Sequence, residues 1–233
     1  MRIAVLMPAF DEGERLARTV AELAASGGDV TMFVVDDGSK PPVDEDALAR
    51  AAGAMRVVFA RHAVNLGQGA AIETARRLAL DPRFAKHGFD AYVTMDADGQ
   101  HRAEDVLALA AAIEAGADVA LGDRFAGGSN VPRERRALIR LARAFERLAT
   151  GARLSDAHNG LRAFGPRAIE AMRIRHNRMA HATELTRAIA QAELRVVEVP
   201  VSVRYTDESM KKGQRASGAV AILVDLFQGF LFR

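Results

Sequence analysis

Three short apolar runs each end in an acidic turn, and this feature limits what the chain can fold into. Residues 2–7 (RIAVLM) run into Pro8-Ala9-Phe10-Asp11-Glu12, residues 30–35 into Asp36-Asp37-Gly38-Ser39, and residues 90–95 into Asp96-Ala97-Asp98-Gly99. Apolar runs of five or six residues closed by turn sequences read as buried strands. Between them lie stretches with helical spacing, near 12–25, 45–52, 67–80 and 103–115, with further strands near 56–60 and 118–121. Alternation of this kind predicts an α/β fold, a Rossmann-like doubly wound, mostly parallel sheet flanked by helices. Such sheets bind ligands beyond the carboxyl ends of their strands, so the three acidic turns are expected to meet along one edge.

Beyond residue 122 the pattern changes. Gly127-Gly128-Ser129-Asn130 precedes a helix expected over 132–149; a strand is expected at 160–164, a helix at 179–191 and a strand over 194–205. Pro200 inside the last strand implies an edge or bulge position, because proline has no N–H to give a central ladder. At 233 residues, with no repeat and 49% hydrophobic side chains, the chain is expected to form one domain. Its first half, 1–122, would bind a donor, and its second, 123–233, would face an acceptor.

Charge divides along the same line. Residues 1–120 carry 12 basic and 19 acidic side chains; residues 121–195 carry 15 and 7, every basic one an arginine. An acidic half joined to a cationic half suits a metal ion and an anionic ligand meeting between them, although patterning of a solvated surface would look the same. With no cysteine, thiolate chemistry and disulfides are excluded. No run reaches the ~20 apolar residues of a membrane span, and the N-terminus reads as a strand rather than a signal peptide.

Asp96 and Asp98 stand two residues apart on a turn, where both carboxylates can address one hard cation, Mg²⁺ or Mn²⁺. Gln100 offers a further oxygen and His101 a nitrogen. The plainer alternative is an Asp-rich turn bonding its own amides. Asp-x-Asp after a strand also occurs in phosphatases of the haloacid dehalogenase type, but here it lies far from the N-terminus and Gln100 stands where those enzymes have Thr or Val. Gly67-Gln68-Gly69-Ala70-Ala71-Ile72 half-matches a dinucleotide fingerprint, in the third strand–helix unit rather than the first. Its glycines suit a tight helix start whose amides face a phosphate, or simple close packing.

On the helix expected at 132–149, Leu138, Leu141, Phe145 and Leu148 share one face and Arg136, Arg140, Arg143 and Arg147 the other. Arginines without interleaved aromatics fit a phosphate-rich or membrane surface better than nucleic acid, and an ordinary solvated face is the competing reading. The apolar segment Ala219–Phe232, read as a C-terminal helix, is too short to span a bilayer. It can lie in the membrane interface, pack on a partner or complete the core. His158 and His181 lie in the arginine-rich half, as site lining or as packing residues.

Taken in order, MPAFDEGERL, VVDDGS, NLGQGAAIETA, TMDADGQH, LGDRF, DAHNGLRAF and EVPVSVRYTDES resemble glycosyltransferase family 2, with its GT-A fold. The resemblance covers nearly the whole chain and is nearest to the polyprenyl-phosphate sugar synthases of the dolichyl-phosphate mannose synthase type. It implies an inverting, metal-dependent hexosyltransferase that moves a sugar from a UDP- or GDP-linked donor to a polyprenyl phosphate. It also implies roles for single residues. Pro8, Phe10 and Glu12 match the loop holding the nucleoside, and Val35 and Asp37 the base-contacting pair. Asp96, Ala97, Asp98 and Gln100 match the metal and diphosphate site, Arg124 an arginine near the sugar or acceptor phosphate, and Arg204 and Lys211 a late basic pair over the donor phosphates. Here Met210 separates Ser209 from Lys211 where the family has Ser followed directly by Lys, so Lys211 or Lys212 fills that place.

A lipid phosphate needs no strong base, whereas a sugar hydroxyl acceptor would need a carboxylate, for which Asp156 and Glu184 are available. A nucleotide-sugar-binding subunit without catalysis is the remaining alternative. Many bacterial relatives continue into transmembrane helices, while this sequence ends at Arg233. Membrane contact is then expected through the basic helix, the apolar C-terminal segment or a small membrane-protein partner. The expected location is cytoplasmic, peripheral at the inner membrane face.

Overall fold

The computed structural model describes residues 1–86, 88–126, 159–174 and 194–204. Its first 123 residues alternate as expected: β1 (Arg2–Ala9), α1 (Glu14–Ala24), β2 (Asp29–Asp36), α2 (Glu45–Ala52), β3 (Arg56–Arg61), α3 (Gln68–Leu80), β4 (Ala91–Thr94), α4 (Ala103–Glu114) and β5 (Val119–Asp123). Three more elements follow: β6 (Arg162–Phe164), α5 (Pro166–Ala171) and β7 (Val196–Pro200). The helices expected at 132–149 and 179–191, the apolar segment at 219–232, and Asp156, His158, His181, Glu184, Lys211 and Lys212 lie outside the described residues.

One seven-stranded sheet has the order β3-β2-β1-β4-β6-β5-β7. Six strands run parallel, and β6 is antiparallel to both of its neighbours. β1 and β2 are covered on both faces, which is why they read as continuous apolar runs rather than alternating ones. Ile3, Val5 and Met7 of β1 pack with Leu16, Val20 and Leu23 of α1 and Val106 and Leu109 of α4 on one face. Ala4 and Leu6 pack with Ala71, Ala75 and Ala79 of α3 and Ile169 of α5 on the other. Full burial of one such leucine contributes roughly 1.5–3 kcal/mol. Asp44 starts α2 with a cap, its Oδ1 accepting the Ala47 N–H at 3.0 Å.

The structure departs from the sequence reading at β1, α5 and β7. Pro8 does not end β1, which continues to Ala9 in register with Asp36. The β1–β4 ladder stops at Leu6, whose carbonyl accepts the Met95 N–H. Pro8, two residues on, points to that same side, so no neighbouring strand asks it for a donor. α5 is the second difference: six residues are too few for a periodic apolar pattern to show. The strand expected over 194–205 is the third: β7 spans only Val196–Pro200, because its partner β5 ends at Asp123 opposite Pro200. Pro200 thus closes an edge strand, the edge position being as expected.

Candidate active site

Because six strands are parallel, their carboxyl ends line one edge, and β6 starts there because it is reversed. The edge therefore gathers 10–12, 36–39, 62–67, 95–101, 123–124, 159–161 and 201–204. The last three come from the second half of the chain.

Asp36 ends β2, Asp37 follows it, and both are almost wholly buried. Asp36 accepts the Ser39 N–H on Oδ1 at 2.9 Å, and its Oδ2 lies 3.3 Å from Arg61 Nε. Asp37 works across strands. Its Oδ1 accepts the Leu66 N–H at 2.9 Å and lies 2.7 Å from His62 Nδ1, and its Oδ2 accepts the Gly67 N–H at 2.7 Å. His62 Nε2 in turn sits 3.0 Å from Thr74 Oγ1 on α3. The 62–67 loop lies so close over Gly38 that a Cβ there would stand 2.7 Å from Asn65 N, and Gly38 also has φ +79°. Both conditions call for glycine.

The nucleoside-loop residues fall as follows. Phe10 projects from the end of β1 with 43% of its surface exposed. Glu12 pairs with Arg15 at 2.8 Å. Val35 is fully buried among Phe33, Ala4 and Leu6, so its side chain serves the core.

After β4 the chain turns through Asp96, buried Ala97 and Asp98. Asp98 Oδ1 accepts the Gln100 N–H at 3.0 Å, the local turn bond that the plainer reading anticipates. Burial and then the neighbouring charge of Asp96 push the Asp98 carboxyl above the usual aspartate range, against the pull of that bond and of His101 and Arg15. Asp96 Oδ1 accepts from Gln68 Nε2 at 2.8 Å, and Asp96 Oδ2 stands 3.5 Å from His101 Nε2. His101 is buried, and its Nδ1 has no hydrogen-bond partner among the described residues. On the β6 side, a Cβ on Gly160 would approach Asp96 Oδ2 to 2.3 Å.

Two basic residues complete the edge. Arg124 directly follows β5, where Asp123 Oδ1 accepts the Phe125 N–H at 2.8 Å. Arg204 donates its backbone N–H to Gln100 O at 2.9 Å, and Ser202 N–H bonds Asp105 Oδ2 at 3.0 Å, so 202–204 is laced to the Asp-x-Asp turn and α4. The Arg204 guanidinium reaches Glu22 on α1.

Among the described residues no group of three or more His, Asp or Glu forms a ready-made metal cage. Asp96 and Asp98 nonetheless fit a hard divalent ion, because two carboxylates two residues apart on one turn offer it oxygen ligands, and burial and then the charge of Asp96 disfavour a bare Asp98 carboxylate there. Mg²⁺ in particular is commonly held by one or two carboxylates, with substrate phosphate oxygens and water completing the shell. Residues that the sequence reading did not single out are Gln68, His62 and Gly160. Gln68 and Gly160 stood inside quoted motifs, but their proximity to Asp96 depends on strand order and reversal.

The glycosyl transferase family 2 model matches residues 4–173. An undecaprenyl-phosphate mannosyltransferase of Micrococcus luteus is 28% identical over 94% of this chain and 90% of its own length. A polyprenol monophosphomannose synthase of Mycolicibacterium smegmatis is 30% identical over 91% and 80%. Among solved structures, glucosyl-3-phosphoglycerate synthase from Mycobacterium tuberculosis, in complex with Mn²⁺, UDP and glucosyl-3-phosphoglycerate, superposes with a TM-score of 0.65 at 17% identity, covering 97% of this chain and 79% of that one. The shared fold is GT-A, and the chain belongs to glycosyl transferase family 2, as a nucleotide-sugar-dependent glycosyltransferase.

Proposed function

We propose that this enzyme transfers a hexose from a UDP- or GDP-sugar to a polyprenyl phosphate, with inversion at the anomeric carbon and with Mg²⁺ or Mn²⁺ at Asp96 and Asp98. The observation that carries the reading is the pair of carboxylates on the turn after β4, one of them raised by burial and by the other's charge. The names of the relatives from Micrococcus and Mycolicibacterium support the lipid phosphate as acceptor.

In this reading the exposed ring of Phe10 stacks on the base, and Glu12 and the Asp37-anchored loop shape the nucleoside pocket. Asp96 and Asp98, with Gln100 beside them, hold the ion, which when bound neutralises charge on the leaving diphosphate. Arg124 orients the acceptor phosphate. Arg204, with Lys211 or Lys212, screens the donor phosphates. An acceptor phosphate oxygen bonds to the anomeric carbon while the bond from that carbon to the donor diphosphate breaks. The electron pair leaves with the nucleoside diphosphate. A phosphate monoester with a second pKa near 6 is already largely ionised at neutral pH, so this step needs no protein base.

The division into a donor half, 1–122, and an acceptor half, 123–233, belongs to the same proposal. No helix among the described residues is long and apolar enough to cross a membrane. The proposal includes peripheral contact with the membrane from the cytoplasmic side, and the lipid-phosphate acceptors named for the relatives support membrane contact.

Calorimetric titration with UDP and GDP, each with and without Mn²⁺, tests the donor site. One nucleotide is expected to bind in a metal-dependent manner to the wild type and not to Asp98→Ala. Equal binding by the mutant would remove Asp98 from the site.

A further inference from the structure

Asp96 is held in place by groups from outside its own turn. Gln68, the first residue of α3, donates Nε2–H to Asp96 Oδ1 at 2.8 Å. Across the carboxylate, Gly160 lies close enough that any Cβ would stand 2.3 Å from Oδ2 and 2.8 Å from Cγ. That backbone is itself fixed, since Gly160 O accepts from Thr94 Oγ1 at 2.8 Å.

Gln68 is exposed, and an exposed amide–carboxylate bond adds little to stability because water can replace it. Its backbone, however, is not free to drift. The two preceding amides, Leu66 and Gly67, are both bonded to buried Asp37, at 2.9 and 2.7 Å. A rigid start to α3 therefore delivers one amide donor to one oxygen of Asp96, and Gly160 limits the opposite side.

We infer that Gln68 is a positioning residue for the metal-binding carboxylate: its amide, backed by Asp37, together with the Gly160 backbone, fixes the orientation in which Asp96 meets the ion. The inference rests on the reading of Asp96 as a metal ligand. It gives Asp37 a second task besides the nucleoside pocket, that of setting α3 against the turn after β4. Partners that orient a ligating carboxylate typically carry a 10–100-fold share of metal affinity.

The test is the Mn²⁺ concentration that half-saturates nucleotide binding, measured by calorimetry for wild type, Gln68→Ala and Gly160→Ala with whichever of GDP or UDP binds. Gln68→Ala is expected to raise it about 10-fold or more, with metal-free nucleotide binding and the thermal midpoint unchanged. A merely structural role would move the midpoint or the metal-free binding instead. Gly160→Ala should raise it by displacing Asp96 sterically; if that variant does not fold, Gln68→Ala alone decides. Half-saturation within twofold of wild type in Gln68→Ala overturns the inference while leaving the donor site standing. A wild type that binds nucleotide with no response to metal overturns both.

Discussion

Arg204 and Glu22, 182 residues apart in sequence, form a two-oxygen ion pair, with Arg204 Nη1 2.9 Å from Oε2 and 3.0 Å from Oε1. Both side chains are nearly half exposed, and such pairs are worth less than about 1 kcal/mol. Arg204 is bonded through its backbone to Gln100 beside the Asp-x-Asp turn, and in the proposed reading its weakly held guanidinium exchanges Glu22 for a donor phosphate. Glu22→Gln should change stability by under about 1 kcal/mol in a thermal melt and tighten nucleoside diphosphate binding a few-fold. Arg204→Gln should weaken that binding about 10-fold or more, as expected for a lost charged hydrogen bond. Titration of both variants checks this.

Asp98 gives a pH signature. Its carboxyl is raised in the fold, so the folded chain holds a proton that the unfolded chain has already released. This term favours folding below the ordinary aspartate range, near 3.9, and fades as pH climbs through the raised value. In metal-free protein, wild type should lose stability relative to Asp98→Asn across that window, and Mn²⁺ with nucleotide should restore it in wild type alone. Paired urea melts across pH measure the difference, and parallel curves would contradict the prediction.

Glu73 behaves in the opposite sense. Burial raises its carboxyl, but hydrogen bonds from Arg76 and Arg77 outweigh this and hold it below the usual glutamate range. The stability it contributes is present above the ordinary value near 4.3 and is lost as pH falls through the lowered one. Arg76 is buried and also donates to Ile169 O at 3.1 Å, tying α3 to α5. Glu73→Ala leaves that guanidinium uncompensated and should cost about 3–5 kcal/mol in a urea titration.

How far the sequence was legible follows from the range of the interactions involved. β1, β2 and the Asp96-Ala97-Asp98 turn were readable because apolar runs and turn residues are local signals. α2 matched its expected bounds because Asp44 caps it and Gly53 closes it. The end of β1 was misplaced because Pro8 is harmful only where a neighbour needs its N–H, and that depends on where β4 stops. α5 left only a short cue, Pro166 at its first position after Gly165. Gln68 looked like part of a phosphate loop. Its contact with Asp96, like that of Gly160, depends on β4 lying beside β1 and on the reversal of β6, which no spacing along the chain encodes.

The helix expected over 132–149 would carry Arg136, Arg140, Arg143 and Arg147 on one face. Replacing all four with Gln should weaken co-sedimentation with anionic liposomes by an amount that shrinks as salt rises, since exposed charges are screened. Unchanged binding would assign that face to solvent.

The most direct test of the proposed reaction is sugar transfer itself. Wild type and Asp98→Ala are incubated with Mn²⁺, radiolabelled GDP- or UDP-hexose and a polyprenyl phosphate, and label in the lipid phase is counted. Metal-dependent lipid labelling by wild type, abolished in Asp98→Ala, is the predicted result. A wild type that labels only a sugar hydroxyl acceptor, or that binds donor and labels no lipid, would contradict it.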